Sequence, residues 1–158
     1  MKIFLSLLLT GICTAPAPAE EKAPPAKIET SAPLAAGAVK HVNAGEASKA
    51  LADAKAAAAT SPEKAITVID VRTPEEFASG HIGGAQNLDI ASPEFKANLA
   101  KLDRGKTYLV HCAAGGRSTR SLSILKDLGF KSLIHLDEGL NAWKAAGLPL
   151  EKSAAQKP

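Results

Sequence analysis

The sequence predicts an α/β fold in which a parallel sheet carries helices on both of its faces. Three observations lead there. Short apolar, β-branched runs recur along the chain: "AVKHV", "AITVIDV", "TYLVH" and "SLIHL". Segments with helix caps and amphipathic spacing stand between them. The two kinds of segment alternate, which is the pattern of strands joined by helical crossovers and buried on both sides.

Each element has a local reason. After "AVKHV", Asn43 can cap a helix over Ala44 to Ala59, an alanine-rich stretch of high helix propensity with Leu51 as its clearest apolar anchor. "AITVIDV" is the next strand, and "TPEEFASG" follows it. There Thr73 caps, Pro74 takes the first helical position and Gly80 ends a short helix. "SPEFKANLAKL" repeats that grammar, with Ser92 in the capping place. After the strand "TYLVH", a helix is expected from about Ser118 through "STRSLSILKDLGF", with Leu122, Leu125 and Leu128 on its apolar side. "SLIHL" and the helix "EGLNAWKAAG" complete the series. Ligands of such sheets bind at the carboxyl ends of the strands.

The ends of the chain read differently. Residues 1–19 combine Lys2, an apolar run from Ile3 to Cys13, and Ala17 and Ala19 in a small-x-small pattern. The run is shorter than the roughly 20 residues a membrane-spanning helix needs, and the layout is that of a secretory signal peptide cleaved after Ala19. Residues 20–38 are rich in Ala, Pro and charge and are expected to form a linker. Residues 39–152 are of single-domain size, and residues 153–158 form a polar tail. The expected location is therefore outside the cytoplasm, in the periplasm. Export would remove Cys13, one of only two cysteines, and leave Cys112 without a partner for an internal bridge. Lys plus Arg number 19 against 16 for Asp plus Glu, scattered and with few aromatics, so no nucleic-acid surface is indicated.

Chemistry concentrates in "LVHCAAGGRSTRS", Leu109 to Ser121. Cys112 stands just after a strand, and the loop "CAAGGR" runs on to Arg117. Gly115 and Gly116 permit backbone conformations closed to other residues, so successive N–H groups can turn inward as an anion nest. A helix starting near Ser118 aims its free N–H groups and positive end at the same place. A thiolate there is stabilised, and the thiol pKa should fall below its free value of about 8.5. Arg117 offers a permanent charge to an anionic substrate or leaving group, and Ala113 and Ala114 are too small to block entry. Cys112 also fits a buried core thiol; the coincidence of strand end, glycines and arginine favours a nucleophile. The Cys-x4-Arg spacing is one residue shorter than the Cys-x5-Arg of phosphatases and suits a smaller group, such as one sulfur atom.

On these residues the chain resembles the rhodanese family. "VIDVRTPEEFASGHIGGAQNLDI" is similar to its N-terminal signature, Asp-x-Arg, a Glu-rich short helix, then Gly-His-Ile-x-Gly-Ala-x-Asn. "CAAGGRS" resembles the Cys-x-x-Gly-x-Arg-Ser loop, and "LDEGLNAWKAAGLPLE" the C-terminal Gly-Gly-x-x-x-Trp-x-x-x-Gly-x-Pro. The likeness covers about Val39 to Glu151, and together with the signal peptide it makes the chain resemble the small periplasmic thiosulfate sulfurtransferases. Glu138 departs from it, standing where the first glycine of the pair is usual. The resemblance implies a five-stranded parallel sheet and transfer of sulfane sulfur from thiosulfate or a similar donor to a thiol, cyanide or protein acceptor, by way of a persulfide on Cys112. Ala113, Ala114, Gly115, Gly116, Arg117 and Ser118 would form the binding loop. It also implies that Asp70 and Arg72 brace the scaffold, with Asp70 orienting the loop and Arg72 pairing with Glu75 or Glu76.

Other conspicuous residues read as structural. His81 is expected to be a hydrogen-bonded histidine and Trp143 a core anchor. Arg120 either adds to the positive field of the pocket or faces solvent. No Cys/His spacing marks a metal site, and no P-loop or dinucleotide fingerprint appears, so no cofactor is expected. Three alternatives stand beside sulfur transfer. A non-catalytic binding module of the same fold is one. A Cys-dependent phosphatase is another, which His111 before the cysteine keeps open. The third is a thiol-redox protein, which would need a second protein to supply its resolving cysteine.

Overall fold

The structure, a computed structural model, describes residues 38–152. The segments read as signal peptide and polar tail, and the linker up to residue 37, lie outside the described residues. Five strands and five α-helices alternate among the described residues: β1 (Ala38–Val42), α1 (Ala44–Ala58), β2 (Ile66–Asp70), α2 (Pro74–Ser79), β3 (Gln86–Asn87), α3 (Phe95–Ala100), β4 (Thr107–His111), α4 (Gly116–Asp127), β5 (Ser132–Leu136) and α5 (Gly139–Ala145), with a 3-10 turn at Pro62–Lys64 before β2. The strands form one five-stranded sheet in the order β1-β5-β4-β2-β3, and every pair is parallel. Ala38, assigned to the linker from sequence, is the first residue of β1.

Strand alternation sorts the core into two layers. Ile69, Tyr108, Val110 and Leu133 pack on one face with Phe95 and Leu99 of α3 and with Leu122 and Leu125 of α4. Val68, Leu109, Ile134 and Leu136 pack on the other with Ala44 and Ala47 of α1 and with Leu140 and Trp143 of α5. Helices thus cover both faces, as the apolar strands require. The fully buried positions of α1 are Ala44, Ala47 and Ala54. Leu51 is only half-buried, packed against that layer, because alanines let the helix lie close to the sheet. Leu128, expected on the apolar side of α4, is likewise half-buried at the helix end, packed on its layer. Trp143 is 3% exposed, and its indole N–H donates to the Pro149 carbonyl at 3.0 Å.

The helix caps follow the sequence at two of three places. Asn43 and Thr73 each close a capping box, with Glu46 and Glu76 respectively. Ser92 does not cap α3, which begins at Phe95. Its hydroxyl instead accepts the Glu94 N–H at 3.2 Å, and Phe95 N–H reaches the Ser92 carbonyl at 3.1 Å. The serine spends its side chain on a tight turn through Pro93, a competition open to Ser wherever the chain can fold back. The two-residue β3 was not located from sequence; it is too short to show a period.

Asp70 and Arg72 lock the corner after β2. Both Asp70 oxygens accept from Arg72 Nε at 2.9 Å, and Nη2 adds a contact at 2.5 Å. The guanidinium also donates to the carbonyls of Glu76 at 3.1 Å and Gly80 at 2.9 Å, so it ties β2 to the middle and the C-terminal end of α2. The expected pairing of Arg72 with the Glu75 or Glu76 carboxylate is corrected: only the main chain of Glu76 takes part. Asp70 makes no hydrogen bond to the 112–118 loop, since Arg72 occupies both its oxygens. The pair is buried, with side-chain exposures of 4% and 0%. Truncating one partner of such a pair leaves an uncompensated charge in the core. Asp70→Ala is therefore expected to cost about 3–5 kcal/mol in urea unfolding, with part of the loss recovered in Asp70→Ala/Arg72→Leu. An Asp70→Ala loss below about 1 kcal/mol would contradict the role given to the pair.

Candidate active site

Cys112 follows β4 directly, at the carboxyl edge of the sheet. α4 starts at Gly116 with Gly115 as its cap residue, two residues earlier than the sequence suggested. Gly116, Arg117 and Ser118 therefore form the first helical turn, and their N–H groups are among the free donors of a helix start. Only one of the two loop glycines uses the freedom expected of both. Gly115 has φ +90°, and a Cβ there would stand 1.9 Å from the Asp137 carbonyl oxygen. Gly116 is helical, with nothing within 4 Å of where a Cβ would lie.

The loop is fastened from below by α5. Leu140 N–H donates to the Cys112 carbonyl at 2.8 Å, and Asn141 N–H to the Ala113 carbonyl at 2.9 Å. Gly139 makes this approach possible, since a Cβ on it would fall 2.4 Å from the Cys112 oxygen, and its φ is +62°. Glu138, the departure noted in the sequence, is exposed with φ −91°. That backbone suits any residue, so the retained Gly139 is the one the packing needs.

Donors converge on the sulfur. Gly115 N–H lies 3.1 Å from Cys112 Sγ, and the Ser118 hydroxyl lies 3.5 Å from it. Burial is the largest single influence on the thiol and raises its pKa. Hydrogen bonds from the Ser118 hydroxyl and from the N–H groups of Ser118, Ala114 and Arg117 outweigh that and hold the pKa below its ordinary value. Cys112 is itself 2% exposed, but its loop is open outward: Ala114 and Gly116 are exposed and Ala113 half-buried.

Arg117 is not free. Its Nη1 and Nη2 donate to the two Glu76 oxygens at 2.6 and 2.8 Å. That fork is the chief cause holding the Glu76 carboxyl below its usual range. The pair is part-exposed, at 29% and 36%, so it is worth about 1 kcal/mol or less. Arg120 is exposed and has no polar partner among the described residues. His81 is structural: Nδ1 faces the Phe77 carbonyl at 3.0 Å, and its ring stacks on Phe77 at 3.8 Å. His111 is buried, with Nδ1 3.3 Å from the Cys112 carbonyl and Nε2 3.8 Å from Asp70. Neither nitrogen is hydrogen-bonded to the sulfur.

Several neighbours of the site were not found from sequence. Glu76 was assigned to Arg72 rather than Arg117. His135, on the strand beside β4, reaches the Ser118 hydroxyl with Nε2 at 2.8 Å and Asp137 with Nδ1 at 2.8 Å. His41, His135 and Asp137 lie together, with one donor atom of each within 4.8 Å of the others. Spacing along the sequence does not show this group, since its members come from opposite ends of the domain. A histidine on a strand otherwise apolar was the available signal. A groove of about 600 Å³ lies elsewhere, lined by Leu51, Ala54, Lys55, Ile66 and Glu151 among others, and holds no residue of the Cys112 loop.

A parallel α/β sheet with a cysteine at a strand end, cradled by a helix start, defines a fold built around one buried thiol. More narrowly, the chain belongs to the rhodanese family: residues 47–146 match the Rhodanese-like domain. It is 38% identical over 93 residues to an uncharacterized protein of Synechocystis, covering 58% of this chain and 50% of that one. It therefore spans half the length of that relative. It is 33% identical to thiosulfate sulfurtransferase 16 of Arabidopsis thaliana, covering 51% of this chain and 76% of the relative. A rhodanese-related protein of Thermoplasma volcanium superposes with TM-score 0.59 at 29% identity, over 72% of this chain and 99% of its own. These likenesses support a function of the sulfurtransferase type.

The lowered thiol pKa has a direct check. The ultraviolet absorbance of the Cys112 thiolate, taken against Cys112→Ser, is expected to titrate below the free-thiol value of about 8.5. Ser118→Ala should move the midpoint upward, because burial then meets one donor fewer. A native midpoint at or above about 8.5 would contradict the cradle.

Proposed function

We propose that this chain is an exported sulfurtransferase that carries sulfane sulfur as a persulfide on Cys112. The observation that carries the reading is the set of donors directed at Cys112 Sγ from Gly115 and Ser118, beside a thiol pKa held down, against burial, by hydrogen bonds from Ser118, Ala114 and Arg117. In the first half-reaction the Cys112 thiolate attacks the outer sulfur of thiosulfate. The sulfur–sulfur bond of the donor breaks, sulfite leaves with its electron pair, and a Cys112 persulfide anion remains. In the second, a thiolate or cyanide attacks the terminal sulfur, takes it, and returns the Cys112 thiolate. No proton need move in either step with these reactants, so the reaction has no need of a general base. Two covalent half-reactions of this kind give ping-pong kinetics.

The roles follow from placement. Ala113 to Ser118 hold the anionic sulfur through backbone N–H groups and the Ser118 hydroxyl. Arg117 receives the anionic donor or departing sulfite after leaving Glu76, an exchange made cheap by the weakness of a part-exposed pair. Asp70 and Arg72 act at a distance by fixing the β2–α2 corner that carries Glu76. Arg120 adds positive charge one helical turn further along. Phosphoryl transfer is less well supported: the loop is one residue shorter than Cys-x5-Arg. The reading includes residues 1–19 as an export signal and residues 20–38 as the linker to a periplasmic domain 39–152, with 153–158 as its tail.

Incubation with thiosulfate should add the mass of one sulfur atom to the protein, removed again by cyanide and absent in Cys112→Ser. An unchanged mass in the native protein would leave a non-catalytic binding module as the better reading. For export, N-terminal sequencing of protein recovered from the periplasm of an expressing bacterium should begin at Glu20; retention of Met1 in the cytoplasmic fraction would refute it.

A further inference from the structure

We propose that His41, His135 and Asp137 form a mononuclear site for a divalent transition metal of the zinc class, at the carboxyl edge of β1 and β5. It goes beyond sulfur transfer and does not depend on it. The backbone brings the three together. His41 and His135 are register partners on adjacent parallel strands, so their side chains leave the same face of the sheet. Asp137 follows β5, and its N–H is tied to the Val42 carbonyl at 3.2 Å.

The donor atoms already converge. The two Nδ1 atoms are 3.4 Å apart. Two ligands at the usual zinc–nitrogen distance and a tetrahedral angle stand about 3.3 Å apart. Asp137 Oδ1 lies 2.5 Å from His41 Nδ1 and 2.8 Å from His135 Nδ1. It would have to withdraw by about 0.5–0.8 Å to share an ion. Its side chain is 48% exposed, beyond the end of the strand, and free to turn outward.

The hydrogen bonds on the other side of His135 favour the same site. The Ser118 hydroxyl directs its one proton at Cys112 Sγ, 3.5 Å away, while the Gly115 carbonyl beside it already accepts from the Thr119 N–H and hydroxyl, each at 2.9 Å. With that proton on the sulfur, Ser118 receives an N–H from His135 Nε2, 2.8 Å away. A neutral His135 then turns a bare Nδ1 lone pair toward the Asp137 carboxylate and the second imidazole. Such an arrangement asks for a cation among the three atoms. Ser118 would be the outer partner that fixes the ring and its tautomer, the usual companion of a metal-bound histidine. Two imidazoles and one carboxylate favour zinc, copper or nickel over magnesium or calcium. Side-chain exposures of 57% for His41 and 48% for Asp137 leave the outer side open for a water ligand.

The test uses the full chain without an affinity tag, carrying Cys13→Ser and Cys112→Ser so that no thiol competes. After chelator treatment, zinc is titrated in competition with a chromogenic chelator. One zinc per chain is expected, with affinity reduced at least about tenfold in His41→Ala and in Asp137→Ala. Both changed positions are exposed, and far-ultraviolet circular dichroism verifies the fold. Absence of zinc binding, or affinity unchanged in His41→Ala, would overturn the site and leave the trio as a hydrogen-bonded cluster sharing a proton. Because the titrated chain lacks Cys112, neither result bears on persulfide formation.

Discussion

The Cys112 loop and the start of α5 meet backbone to backbone, and the rest of the site depends on that contact. The Cys112 and Ala113 carbonyls are taken by Leu140 and Asn141 N–H groups. Gly139 lies against Cys112, and Gly115 lies against Asp137, each closer than any Cβ permits. The turned-down carbonyls leave the loop's N–H groups free to face the sulfur. A rim of ordinary side chains would have pushed the loop away from α5 and opened the cradle.

The electrostatics of the site are correspondingly those of oriented dipoles more than of a free charge. The donors nearest the sulfur are the Gly115 N–H and the Ser118 hydroxyl, and the helix behind them contributes its positive end. The Arg117 guanidinium is balanced by Glu76. Glu76 also closes the cap of α2, whose middle and C-terminal end are tied down by Arg72. The Asp70–Arg72 pair in the core therefore positions, through α2, the carboxylate that restrains Arg117. Three ionic groups far apart in function share one short segment of chain.

Local features were well read from the chain. Asn43 and Thr73 cap because their side chains meet their own N–H groups three residues on, and that relation is contained in the sequence. Ser92 has the same chemistry but spends it on a turn, since the following Pro93 makes both outcomes locally feasible. The start of α4 was placed two residues late because glycine reads as loop, whereas Gly116 is helical once the preceding turn at Gly115 is set. Leu51 looked like the anchor of α1 by hydrophobicity; helix-to-sheet distance decided for the alanines.

The sequence alone determined the alternation of strands and helices, the position of Cys112 at a strand end, and the glycine, arginine and serine that follow it. All of these rest on propensity and spacing along the chain. Tertiary structure decided which distant groups meet: Arg117 with Glu76 across 41 residues, and His41 with Asp137 across 96. The reason is the strand order β1-β5-β4-β2-β3. The first strand lies beside the last, so residues from opposite ends of the domain become neighbours at one edge of the sheet.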